Sequence, residues 1–304
     1  MLARWLQRQW FDQRRLAPAL WLLAPLSGLY SVMAGRARHQ AQAQRLAVPV
    51  VVVGNITVGG AGKTPLTLWL ATQLRERGWR PGIVRRGYGG ASTLPRPVTL
   101  DSLPAEVGDE PLLLCRRSGV PVWVGRDRVA AGRALLAAHP EVDVVLCDDG
   151  LQHYRLARDV EIAVFDGRGA GNGWRLPAGP PRFAMRLQPA AFYRLGDPQR
   201  RATAGELQGR QLHALAGIGD PERFFRTLED MGLAFSRYPF PDHHAYSAED
   251  LAFAGDDVLL MTEKDAVKCA GLTRGETWVL PVDAELSPAL IDLVLEKLRG
   301  RQAA

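Results

Sequence analysis

Along most of this chain, apolar residues fall in short unbroken runs separated by charged or turn-forming residues. Val48 to Gly54 reads Val-Pro-Val-Val-Val-Val-Gly, and a β-branched run without polar alternation predicts a parallel strand covered on both faces. Arg80–Arg85, Val120–Gly125, Val142–Cys147 and Val160–Phe165 are further strand candidates. Helix-like segments lie between them, from Lys63 to about Arg77, from near Asp109, and over Asp127–His139. The segment at Asp109 has acids at its front and arginines at its back, which suits a helix dipole. Strand–helix alternation of this kind predicts an α/β fold with a mostly parallel sheet flanked by helices. From Asn172 to about Arg210 the pattern breaks into a Pro/Gly/Arg-rich stretch, read as a long loop or crossover. It resumes with strands at Gln211–Ala216, Val258–Met261 and Trp278–Pro281, a helix at Pro221–Met231 and a closing amphipathic helix at Ser287–Arg299. The expected domains are an arm over 1–47, a core over 48–170, and a crossover with a second, smaller α/β lobe over 171–304.

Charge changes this picture only at the arm. The 304 residues carry a net charge of +6, and residues 1–48 account for it, with seven arginines against Asp12. The neutral body gives no electrostatic reason to expect a nucleic-acid partner. Residues 16–35 run without a charged side chain, flanked by arginines and supplied with Trp5, Trp10, Trp21 and Tyr30. Pro18, Pro25, Gly28 and Gly35 weaken a membrane span. A helix lying on an anionic membrane surface is the favoured reading, against a true span, a buried helix or a cleaved signal peptide. The three cysteines, Cys115, Cys147 and Cys269, are too scattered for a disulfide framework or a thiolate zinc site, and read as small hydrophobes.

The densest chemistry follows the first strand, in Val-Gly-Asn-Ile-Thr-Val-Gly-Gly-Ala-Gly-Lys-Thr-Pro, residues 53–65. A glycine-rich turn between a buried strand and a helix start offers backbone N–H groups to phosphate oxygens. The nucleotide-binding set is Asn55, Thr57, Gly59, Gly60, Ala61, Gly62, Lys63, Thr64 and Pro65. Lys63 would reach the outer phosphates and the Thr64 hydroxyl would ligate Mg²⁺. The strict P-loop pattern wants glycine where this chain has Thr57. A P-loop needs a metal partner, and Asp148 and Asp149 stand at the carboxyl edge of the Val142–Cys147 strand, where open α/β sheets bind ligands. Gln152 and His153 line the same edge. The fold expectation sharpens to a P-loop NTPase-like sheet with a second lobe and an N-terminal membrane-associating helix.

The acceptor of the phosphoryl group is less legible. Asp109 in Gly-Asp-Glu-Pro is either an N-cap or a base for an acceptor hydroxyl. Asp242-His243-His244 lacks a nearby third metal ligand and better suits acid/base or base-orienting work. Glu263 and Lys264, in Thr-Glu-Lys-Asp, can face the nucleotide across the cleft. Lys63, Lys264, Lys268 and Lys297 are the only lysines, against 34 arginines.

Taken in order, residues 53–65, Arg-Gly-Tyr-Gly-Gly (86–90), Gly-Asp-Glu-Pro (108–111), Asp-Asp-Gly-Leu-Gln-His (148–153), Leu-Pro-Ala-Gly-Pro (176–180), Asp-His-His (242–244) and Thr-Glu-Lys-Asp (262–265) resemble the tetraacyldisaccharide 4'-kinase family across nearly the whole chain. The resemblance implies transfer of the γ-phosphoryl of ATP, with Mg²⁺, to the 4'-hydroxyl of an acylated glucosamine disaccharide 1-phosphate, giving lipid IVA in lipid A biosynthesis. It implies a peripheral, monotopic enzyme on the cytoplasmic face of the inner membrane of a Gram-negative bacterium, acting as a monomer. By motif, Lys63 and Thr64 would bind phosphate and Mg²⁺, Asp148 and Asp149 would stand at the metal, and Asp109 would be the base. His243, or else His244, would support it, and Arg86, Tyr88, Gln152, His153 and Arg182 would line the acceptor side. The family's Leu-Arg-Glu after Leu-Pro-Ala-Gly-Pro is Pro181-Arg182-Phe183 here, so only the arginine carries over. The rival functions are a regulatory or chaperone NTPase at the membrane, hydrolysing ATP or GTP, and a tethered binding protein with a vestigial nucleotide site.

Overall fold

The structure, a computed structural model, describes residues 24–55, 62–87, 94–165 and 179–302. It opens with helix α1 (Ala24–Gln40), followed by β1 (Val50–Asn55), α2 (Lys63–Glu76), β2 (Pro81–Arg85) and β3 (Arg96–Val98). Then come α3 (Pro104–Val107), α4 (Asp109–Ser118), β4 (Val122–Val124), α5 (Arg128–Ala138), β5 (Val144–Asp148) and β6 (Val160–Val164). These strands form one sheet in the order β3-β4-β2-β5-β1-β6, parallel throughout except for the β3 edge. β1, β2 and β5 are buried along their full length, as their unbroken apolar runs require. Register sets Val53 beside Asp148, so β1 leaves the sheet next to the paired aspartates.

Of the stretch read as a long loop or crossover, residues 172–178 lie outside the described set, and from residue 185 onward it is largely sheet. It contains β7 (Met185–Pro189), β8 (Phe192–Arg194), β9 (Asp197–Ala202) and the single turn α6 (Ala204–Leu207). Beyond it lie β10 (Leu212–Ala216), α7 (Pro221–Asp230), β11 (Ser236–Pro239), a 3₁₀ segment (Glu249–Ala254) and β12 (Val258–Thr262). The chain ends with α8 (Glu263–Cys269), β13 (Thr277–Leu280), β14 (Val282–Leu286) and α9 (Ala289–Gln302). The second sheet runs β11-β10-β12-β13-β8-β9. Its first four strands are parallel, and the β8–β9 hairpin is added antiparallel. With six strands it equals the first sheet in strand count.

β7 and β14 pair antiparallel with each other, outside both large sheets. The chain crosses to the second lobe along β7 and returns along β14, so that lobe is an insertion held on a two-stranded ribbon. The closing helix, expected in the second lobe, packs on the first: Leu290, Ile291, Val294, Leu295 and Leu298 share a core with Val51, Leu70 and Leu146. Arg301 fastens it by donating to the Leu46 and Val48 carbonyls and to Asp159, at 2.8, 2.9 and 2.5 Å.

α1 presents Leu26, Leu29, Val32 and Met33, each more than half exposed. Among the described residues, no helix is long and apolar enough to cross a membrane. Residues 1–23 of the expected arm, with Trp5, Trp10 and Trp21, lie outside the described set. Cys147 and Cys269 are buried, and burial pushes each thiol up to about 12, in keeping with small core hydrophobes.

Candidate active site

The site forms at the carboxyl edge of the first sheet, with one wall supplied by the second lobe. α2 begins at Lys63 behind Gly62, whose φ of 89° is left-handed. A Cβ at Gly62 would lie 2.8 Å from Met185 Cε, the movable end of a flexible side chain, so it is the backbone conformation that requires glycine there. Lys63 Nζ donates to Asn55 Oδ1 and to Asp149 Oδ1, both at 2.7 Å. The lysine is thus tethered between the end of β1 and the turn after β5. Thr64 and Pro65 sit half-buried in the same first turn. Thr57, Gly59, Gly60, Ala61 and Tyr88 lie outside the described residues.

The two aspartates part company. Asp148 is fully buried, with Oδ1 accepting from Thr67 Oγ1 at 3.2 Å and Oδ2 from Arg85 at 2.5 Å. Arg85, itself buried, reaches Glu110 with its other nitrogen. Asp149 is only part-buried and turns instead to Lys63. Burial works against its charge, but the bond from Lys63, with Arg85 and Arg128 nearby, outweighs this and holds the carboxyl below its usual range. Asp149, at φ 57°, and His243, at φ 60°, are the only non-glycine residues with positive φ among those described. Such backbone costs energy and collects where side chains must be aimed.

Asp109 does not cap its helix. Gly108 takes that position and Asp109 is the first helical residue. Its Oδ2 instead meets His243 Nδ1 of the second lobe at 3.2 Å. His244, whose backbone is only one residue further on, turns away to Asp250 at 3.1 Å and packs against Phe240 and Tyr246. The histidines therefore diverge and cannot share a metal. Lys264 joins the lobes too, lying 3.2 Å from Glu110 and 3.0 Å from Asp242.

Glu263, expected toward the nucleotide, is a clamp between lobes. It is buried, takes Arg117 at 2.6 Å and accepts from the Val282 N–H at 3.3 Å. The reason is positional: α8 packs on α4, and the first residue of α8 points into that contact. His153, expected on the acceptor side, is engaged with α5, accepting from Arg128 N at 3.3 Å and lying 3.5 Å from Asp127. Burial, with Arg128 alongside, lowers its pKa. Gln152, Arg86 and Arg182 are exposed, the first two just beyond β5 and β2.

Sequence reasoning passed over Arg85, Glu110, Thr67 and Arg117, and gave Lys268 no role. A signal existed for Arg85, because an arginine closing an all-apolar central strand must find a buried acid.

Mg²⁺ binds through one or two carboxylates together with substrate phosphates and water. Asp149 and the Thr64 hydroxyl fit that donor set. Among the described residues, no cluster of three or more acids, histidines or cysteines could hold a metal without phosphate.

The chain matches the family model described as Tetraacyldisaccharide-1-P 4'-kinase over residues 19–192 and 181–299. It is 65% identical over 333 aligned positions to the Tetraacyldisaccharide 4'-kinase of Dechloromonas aromatica (strain RCB), covering all of both chains. It is 47% identical to the protein of the same name from Methylobacillus flagellatus, covering 97% of this chain and 96% of that one. Among solved structures it resembles the "apo" form of LpxK from Aquifex aeolicus in complex with ATP, at 25% identity and a TM-score of 0.75, covering 91% of this chain and 98% of the other. Family model, relatives matched over nearly their whole length and fold agree with one another, and the chain belongs to the tetraacyldisaccharide-1-P 4'-kinase family.

Proposed function

We propose that this protein transfers the γ-phosphoryl group of ATP to the 4'-hydroxyl of an acylated glucosamine disaccharide 1-phosphate, at the cytoplasmic surface of the inner membrane. The observation that carries the reading is the meeting of Asp109 and His243 across the cleft, on the same sheet edge as Lys63 and Asp149. Asp109 would accept the proton of the acceptor hydroxyl as its oxygen bonds to the γ-phosphorus and the bond to ADP breaks. His243 orients that carboxylate. Lys63 would move from Asp149 onto the β,γ-phosphate oxygens, offsetting charge that builds on them. Mg²⁺, when bound by Thr64 and Asp149, would neutralise the same oxygens. Asp148 supports the arrangement from behind through Arg85 and Thr67.

The membrane part of the reading rests on where α1 is fixed. Gln44, just beyond it, donates its N–H to the Arg155 carbonyl at 2.8 Å, and Arg38 lies over the Tyr154 ring at 5.9 Å. Tyr154 and Arg155 belong to the loop after Asp149, so the exposed apolar helix starts from the edge that bears the site. A bilayer touching α1 would hold an acyl-anchored acceptor beside the phosphates, and arginines there favour anionic headgroups.

The test is transfer from γ-labelled ATP with Mg²⁺ to the acylated disaccharide 1-phosphate in detergent micelles, with the product read by chromatography and mass. One added phosphate on the distal sugar is expected. ATP consumption with unchanged lipid would overturn the reading in favour of hydrolysis. Asp109→Ala should keep ATP binding and lose kcat, and wild-type turnover by that variant would remove the base assignment.

A further inference from the structure

Lys268 lies on α8, one turn beyond the residues of the Thr-Glu-Lys-Asp motif, and no step described above uses it. Its side chain is only 6% exposed, and its Nζ is buried without a well-formed hydrogen bond. An ammonium with three donors is costly to bury in that condition. Its neighbours show what holds it. Nζ is 3.2 Å from Asp265 Oδ1, 3.9 Å from Asp109 Oδ2, and 4.8 Å above the centroid of the Tyr246 ring.

Asp265 does not need this lysine for its hydrogen bonds. Its carboxylate already accepts from the Thr262 hydroxyl at 2.7 Å, the Gly217 N–H at 3.1 Å and the Tyr246 hydroxyl at 2.9 Å. The space is built for that set: a Cβ at Gly217 would fall 2.3 Å from the Tyr246 oxygen. Tyr246 remains a donor because burial, with Asp265 beside it, pushes its phenol upward. A satisfied, rigid Asp265 and a tyrosine face thus form a seat for the ammonium, and the direction left open from that seat leads to Asp109. His243 Nδ1 approaches Oδ2 of Asp109, the same oxygen that Lys268 faces. Among the described residues no side chain engages Oδ1, the oxygen then available to an acceptor hydroxyl.

We propose that Lys268 is a positioning residue for Asp109. Seated on Asp265 and Tyr246, it holds the charge of Asp109 in place from the second lobe and, with His243, fixes which carboxylate oxygen meets the acceptor. The groups facing it are Asp109 from α4, Asp265 from its own helix and Tyr246 from the loop before the 3₁₀ segment, while His243 of that loop meets Asp109. The inference rests on the reading of Asp109 as base.

The experiment compares full-length wild type with Lys268→Met, Lys268→Arg, the double variant Lys268→Met/Asp265→Asn, and Asp109→Asn. Steady-state phosphate transfer and thermal unfolding are measured for each. Lys268→Met should lose roughly 10- to 100-fold in kcat, with KM for ATP within about twofold of wild type, less than the ~10²–10⁴-fold of a group that itself transfers the proton because Lys268 acts through Asp109. Lys268→Arg should recover most of that loss. Adding Asp265→Asn should recover stability but not kcat. Recovery of kcat in the double variant, or an unchanged kcat in Lys268→Met, would overturn the proposal and leave Lys268 as a counter-charge for Asp265. If Lys268→Met does not fold, the double variant decides alone, by a folded protein with low or with restored kcat. Wild-type kcat in Asp109→Asn would instead bring down the base reading, and this inference with it.

Discussion

Replacing Arg85 with methionine removes the charge at the centre of the site while keeping a long apolar stem. Arg85 is 4% exposed and its partner Asp148 is fully buried, with 2.5 Å between them. Glu110, the second partner, is partly solvent-exposed and keeps Lys264 at 3.2 Å after the change. The cost therefore falls on Asp148, which retains only the Thr67 hydroxyl. Breaking a buried pair from one side costs about 3–5 kcal/mol, because the surviving charge has neither water nor a counter-charge. At roughly 2–4 °C per kcal/mol for a protein of this size class, thermal unfolding should drop by about 6–20 °C. Differential scanning calorimetry with urea titration measures both quantities. Adding Asp148→Asn should return more than half of the loss, since the stranded charge is then gone. Lys at position 85 should recover less, because an ammonium cannot fork between two carboxylates. An Arg85→Met protein within about 1 kcal/mol of wild type would refute the argument, and would mean that Asp148 is reached by water or shares its charge elsewhere.

Lys63→Met should weaken ATP binding and lower kcat together, because one ammonium serves the phosphates in both ground and transition state; titration calorimetry beside turnover checks this, and loss of only one would contradict it. His243→Ala should lower kcat by about 10²-fold, whereas His244→Ala should act mainly on stability, since its ring contacts Phe240, Tyr246 and Asp250; a reversed pattern in the two kinetic profiles would move the orienting role to His244. Glu276 takes hydrogen bonds from Arg210 and, though partly desolvated, is held at about 2. Its contribution is therefore fully present above the ordinary glutamate range near pH ~4.5 and fades as pH falls toward 2, so Glu276→Gln should flatten the acid-side decline of Tm over that interval.

How far the sequence reached depended on what each element needed from its surroundings. β1, β2, β5, β10 and β12 were readable because a strand buried on both faces has to be apolar throughout. β9, Asp-Pro-Gln-Arg-Arg-Ala, is an exposed edge for five of its six residues, and its composition is that of a loop. β3 and β11 each carry a proline and lie at sheet edges. At the site, Lys63, Asp149 and Asp109 stood out because strand ends and helix starts locate them locally. Glu263 was misplaced because its partner Arg117 is 146 residues away in sequence, and only the packing of α8 on α4 decides which way the first residue of α8 points. The choice between His243 and His244 likewise needed the positive φ of His243, which a pair of identical residues cannot reveal.

The clasp formed by Arg301 bears on how this protein is made. Leu290 to Leu298 complete the core around β1 and α2, yet they leave the ribosome some 126 residues after β6, with the whole inserted lobe in between. At about 5–20 residues per second, the nucleotide-binding half stays open along one flank for roughly 6–25 seconds, while the inserted lobe has all its strands and can close first. A nascent chain stalled before Leu290 would therefore carry a finished second lobe beside an unfinished first one. Trimming the last dozen residues should injure the half of the molecule encoded earliest, leaving the half next to the cut intact.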